Sequence, residues 1–154
     1  MSGVHTHWSP LAAVAARAPQ ELLSWLAEPG LLTARVRALC GPAMVFRRLG
    51  GLREAPLSST LCERLQLDDS DCLLRDVEFC VDGERLVFAQ TVLPASTLAR
   101  YPWLRELGDS PLGEALRRVD EPLEREPLEY AELPAQHPLA LAARTGAADA
   151  LLWA

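Results

Sequence analysis

Apolar positions recur at helical intervals in the first third of the chain and alternate in its middle, so the two halves of the pattern predict different elements. Leu22, Leu23, Trp25 and Leu26 form one apolar face, closed by Pro29-Gly30, which predicts a short helix over residues 20 to 27. Leu31, Leu32, Val36 and Leu39 continue at helical spacing while Arg35 and Arg37 point elsewhere, giving a second helix that ends near Gly41-Pro42. Upstream, Ser9 before Pro10 reads as a helix start, with Ser at the N-cap and Pro at the first helical position. Met44 to Leu49 reads as a strand running into a Gly50-Gly51 break, and residues 52 to 70 read as irregular apart from a helical turn around Leu61 to Leu65. Between Cys72 and Leu93, two runs rich in Val, Leu and Phe flank Val81-Asp82-Gly83-Glu84, which is the pattern of an antiparallel hairpin. Pro94 ends its second strand. Ser96 or Thr97 then caps a helix through Leu107, stopped by Gly108, and Pro111-Leu112-Gly113 opens another. An edge strand fits Tyr130 to Leu133, and the Ala- and Leu-rich tail ends on Leu151-Leu152-Trp153-Ala154.

This order of elements predicts the α+β class, an antiparallel sheet with helices packed around it. At 154 residues the chain is expected to form one domain over 1–154, with residues 1–18 loosely ordered. All 15 basic residues are Arg, which excludes Schiff-base and P-loop lysine chemistry and leaves any anion to be held by guanidinium groups. The net charge of −6 argues against a general nucleic-acid binder. Charge is also segregated: residues 29–53 carry five Arg and no acid, whereas 106–132 carry nine acids against three Arg. Two solvated faces, or basic groups gathered around an anionic ligand, would both produce that split. The four cysteines form no Cys-x-x-Cys pair, and Cys72 and Cys80 on one strand would stand roughly 26 Å apart, so reduced thiols are expected. Without a signal-peptide pattern or an apolar run near the ~20 residues of a membrane span, the chain reads as cytoplasmic.

One residue breaks the hairpin pattern. Alternation puts Leu73, Arg75, Val77 and Phe79 on one face of the first strand, and Leu74, Asp76, Glu78 and Cys80 on the other. Arg75 therefore sits among apolar side chains, where an unpaired guanidinium is too costly to persist. It must meet either a protein carboxylate, such as a Glu of the acidic segment, or the carboxylate of a ligand, which its planar fork matches.

The succession Leu73-Leu74-Arg75-Asp76, Val81-Asp82-Gly83-Glu84, Thr91-Val92-Leu93-Pro94-Ala95-Ser96-Thr97-Leu98 and Ser110-Pro111-Leu112-Gly113 resembles chorismate pyruvate-lyase. A weaker likeness runs back through Leu22-Leu23-Ser24-Trp25-Leu26 to Leu32-Thr33. The resemblance implies a lyase that converts chorismate to 4-hydroxybenzoate and pyruvate at the entry to ubiquinone synthesis, with neither metal nor organic cofactor. It places Arg75 at the family's carboxylate-binding arginine, which makes Arg75 the candidate catalytic residue. Leu112 falls where the backbone meets the bound ring acid, and Leu32 at a position occupied by Met in a familiar member and contacted partly through backbone.

The family also carries a late-strand Glu in a Thr-Glu or Ser-Glu pair, with no counterpart here. Leu152-Trp153-Ala154 resembles the family's Leu-Trp motif, after which two more strands normally follow. The expectation is a chain two strands short, with an open sheet edge and its activity in question; neither Glu78 nor Glu132 matches the missing carboxylate. Two other readings stay open: a non-catalytic, sensor-like binder of small acids on the same fold, or an inactive shortened relative. A monomer is expected unless the open edge drives association. His5-x-His7 lacks a nearby third ligand for a metal.

Overall fold

The computed structural model describes residues 6–28, 30–67, 71–144 and 152–153. His5, Pro29, Leu151 and Ala154 lie outside the described residues. The chain divides into two compact units, Met1–Arg35 with Val119–Ala154, and Val36–Arg118. No described helix is long and apolar enough to cross a membrane.

The first unit holds helices α1 (Leu11–Val14), α2 (Gln20–Leu26) and the start of α3 (Leu32–Cys40). The expected cap at Ser9 does not form. Helix α1 starts one residue later, with Pro10 at the N-cap in extended conformation, and Ser9 instead exchanges backbone hydrogen bonds of 3.0 and 2.8 Å with Tyr130. A residue before proline is biased towards extended backbone, which suits a bridge better than a cap. Trp25 lies under the Arg35 guanidinium at 4.1 Å, while Arg35 also bonds Glu28 (3.2 Å), the Ser24 hydroxyl (2.9 Å) and the Ser24 carbonyl. Of the expected edge strand, Glu132–Leu133 (later β5) pairs with Leu152–Trp153. Ala131, Leu133 and Ala140 make a small core joined by Trp8 and Leu139.

The second unit contains strands β1 (Met44–Arg48), β2 (Arg53–Glu54), β3 (Cys72–Val81) and β4 (Glu84–Pro94) in one antiparallel sheet. Central β3 pairs along its full length with β4, and its other edge takes β1 and β2 in turn. Among the described strands, β4 pairs only with β3. The hairpin turns on Asp82 and Gly83, both at positive φ (51° and 83°), the two-residue geometry that follows the strand twist. A β-branched residue at Gly83 meets the left-handed penalty, so Gly83→Val lowers stability by about 1–2 kcal/mol, read as an earlier urea midpoint at unchanged slope.

Two expectations in this unit need correction. Residues 52–70 are more regular than their sequence suggests, since β2 is followed by helix α4 (Ser59–Leu65), whose first turn is capped by Ser58 accepting from the Leu61 N–H at 3.2 Å. The helix expected from Ser96 or Thr97 through Leu107 begins at Ala95, with Pro94 at its N-cap, and breaks at Tyr101. Ala95 donates its N–H to the Asp71 carbonyl (3.1 Å), so no side-chain cap forms, and Pro102 drives Tyr101 out of helical backbone. The result is α5 (Ala95–Arg100), a 3-10 turn (Pro102–Glu106) and α6 (Leu112–Leu116). Leu93, Leu98, Leu104 and Leu107 form the core between these helices and the sheet, joined by Leu73 and Leu112.

Candidate active site

Strand alternation sets the site. Phe46 of β1 meets Phe79 of β3 edge to face at 5.1 Å on the face that Phe79 shares with Val77, Arg75 and Leu73, and Leu73 packs on the leucine core formed with the helices. Arg75 is accordingly 1% exposed. It bonds neither of the two partners that burial demands. Its Nη2 donates to the carbonyls of Gly108 (3.0 Å) and Ser110 (2.7 Å), and among the described residues no carboxylate is hydrogen-bonded to it. Its Nε is buried without a partner.

The turn that receives Arg75 follows from local backbone chemistry. Gly108 adopts φ 53°, a conformation that glycine takes without the Cβ penalty, and ends the helical run after Leu107. The Leu107 carbonyl then accepts from the Ser110 N–H at 2.8 Å. Carbonyl dipoles satisfy hydrogen bonds but carry no full charge, so the cation is held without being neutralised by a bonded anion. Burial pushes the Arg75 guanidinium below its ordinary pKa, the charge of Arg48 adds to that, and Asp109 opposes it. An anion delivered to Nε would satisfy the orphaned donor and the charge together.

Leu112 is brought to the same place. It opens α6 two residues after Ser110, and its side chain packs on the leucine core, leaving its backbone N–H at the head of the helix without an intrahelical acceptor. Leu32 opens α3 and belongs to the first unit, where it is half-buried. A cavity of about 590 Å³ opens at the start of β3 between Glu54, Asp71, Cys72, Leu98 and Arg105. It does not include Arg75, but its wall includes Leu73, the next residue on the Arg75 face.

The opposite face of β3 is occupied by satisfied ion pairs. Asp76 accepts from Arg53 (3.1 Å) and from Gln90 (2.9 Å), and Glu78, 2% exposed, lies between Arg47 and Arg85. Burial alone would raise the Glu78 pKa, but the hydrogen bonds from Arg85 and Arg47 outweigh it and hold the carboxyl below its ordinary value. Glu78 is therefore turned away from Arg75, as alternation requires.

The chorismate lyase family model matches residues 5–153. This chain belongs to the chorismate lyase family. Members of the family similar to it include the "Probable chorismate pyruvate-lyase" of Thiobacillus denitrificans, 36% identical over 157 aligned positions that cover 99% of this chain and 81% of the relative. Those of an Azoarcus species (38%, covering 89% and 75%) and Hydrogenovibrio crunogenus (33%, covering 85% and 71%) carry the same description. The α+β architecture agrees with the family, and the hairpin that carries Arg75 lies inside the matched region. What sequence reasoning missed in this candidate site is the Gly108–Ser110 turn as the group that receives Arg75. Gly108 marked a helix end, but which residue its carbonyl would meet depends on tertiary packing.

Proposed function

We propose that the chain is a chorismate pyruvate-lyase, acting in the cytoplasm as a monomer at the first step of ubiquinone synthesis. The supporting observation is the buried Arg75, hydrogen-bonded among the described residues to the carbonyls of Gly108 and Ser110 and with its Nε unpartnered. Chorismate presents a ring carboxylate to such a fork. Arg75 grips that carboxylate, and the Leu112 N–H donates to the bound acid. The bond between the ring carbon and the ether oxygen then breaks. The neighbouring ring carbon, which bears the hydroxyl, gives up its hydrogen as a proton, and the ring becomes the aromatic 4-hydroxybenzoate. The departing enolpyruvate takes up a proton and becomes pyruvate, so every atom of chorismate is accounted for in the two products.

Aromatisation supplies the driving force, so the protein's part is to orient the ring, exclude water and stabilise charge on the leaving fragment. The test incubates the protein with chorismate in chelator-treated buffer and follows both products. Equal amounts of 4-hydroxybenzoate and pyruvate are expected; binding of 4-hydroxybenzoate without turnover would overturn the lyase assignment in favour of a binder.

A further inference from the structure

Adjacent arginines on β1 go to opposite faces of the sheet. Arg47 pairs in register with Glu78 and is bonded to it. Arg48 pairs in register with Val77 and so shares the face of Arg75, one rung away. The same three-residue turn ties the two together: the carbonyls of Gly108 and Ser110 accept from Arg75, and the Asp109 carboxylate between them accepts from the Arg48 backbone N–H at 2.7 Å. Arg48 is half-buried, and its guanidinium makes no hydrogen bond or ion pair with a described side chain. Two like charges are thus held on one face near Asp109, and their repulsion is felt at Arg75. Such an arrangement costs stability unless something doubly anionic arrives.

We propose that Arg48 is a second carboxylate-binding residue, which takes the side-chain carboxylate of the enolpyruvyl group while Arg75 holds the ring carboxylate. This rests on the lyase function proposed above. It assigns a distinct task to each arginine, because chorismate carries two carboxylates whereas 4-hydroxybenzoate carries one. Arg48 then recognises substrate over ring product, and stays with the carboxylate that leaves as pyruvate.

The experiment compares chorismate turnover with equilibrium binding of 4-hydroxybenzoate in the full chain. Arg48→Gln is expected to raise KM for chorismate on the order of tenfold to a hundredfold, the worth of a hydrogen bond to a charged group. It should leave the Kd for 4-hydroxybenzoate within about twofold of its starting value, and Arg48→Lys should recover part of the loss. Arg47→Gln, which removes the same charge from the other face, should leave KM unchanged. Equal losses for chorismate and 4-hydroxybenzoate, no loss for either, or an equal effect from Arg47→Gln would each overturn the assignment. Unaltered protein that neither converts chorismate nor binds 4-hydroxybenzoate would remove the lyase function itself, a result separable from all the others.

Discussion

Replacing Arg75 with Met abolishes measurable binding of 4-hydroxybenzoate and leaves the protein folded. Losing one partner of a buried, charge-assisted pair typically costs about 2–5 kcal/mol of affinity, or on the order of 30- to 4000-fold. The fold survives for a reason visible in the site. Met gives up the hydrogen bonds to Gly108 and Ser110, but it also removes a buried cation that no bonded carboxylate neutralises and whose pKa burial already depresses. Exchanging buried charge for an apolar side chain of similar volume is often neutral or stabilising. Thermal unfolding with and without ligand checks both halves. At a hundredfold excess over its Kd, a ligand adds about 2.7 kcal/mol to stability, so the unaltered protein should melt roughly 5–10 °C higher with 4-hydroxybenzoate. The Arg75→Met protein should show no such rise. A rise of equal size would place the ring acid elsewhere in the molecule.

The hairpin and Arg75 were legible in the sequence because both depend on short-range rules. Period-two alternation fixes faces, and Asp82-Gly83 fixes the turn with its first pairs, Val81↔Glu84 and Cys80↔Arg85; the register shift that follows, which pairs Phe79 with Val87, is not set by the turn. Burial of Arg75 followed from its apolar neighbours. Its partners did not, because a guanidinium accepts carbonyls and carboxylates alike, and which of them comes near depends on how the 3-10 turn packs. The break at Tyr101 was readable from Pro102, yet Ser96 and Thr97 offered a stronger-looking helix start than the one used. There the decisive group was the carbonyl of Asp71, 24 residues upstream and brought close only by the pairing of β3 with β4. The separation of Arg47 from Arg48 was open to the same alternation rule, but it gained meaning only once β1 was known to pair with β3.

Glu78→Gln is expected to destabilise the protein by about 3 kcal/mol, because it removes the anion from a buried group of three charges and leaves its partners behind. The two arms are unequal. Arg47 is 60% exposed and regains water readily, so it adds little, whereas Arg85 is 13% exposed and loses the carboxylate that it meets at 2.5 Å. The effect should also depend on pH, and the direction follows from the carboxyl. Glu78 is held below its ordinary pKa in the folded protein, so the stability it contributes is complete above the unfolded carboxylate range. That contribution is lost as the pH falls through that range to the folded value, where the folded protein must also take up the proton. Glutamine has no proton to gain. The gap in unfolding free energy between the two proteins should therefore be widest near neutrality and narrow on acidification. A gap that stays constant from neutral pH into the acid range would show that Glu78 acts through its shape and hydrogen bonds, and that its charge contributes nothing to the sheet.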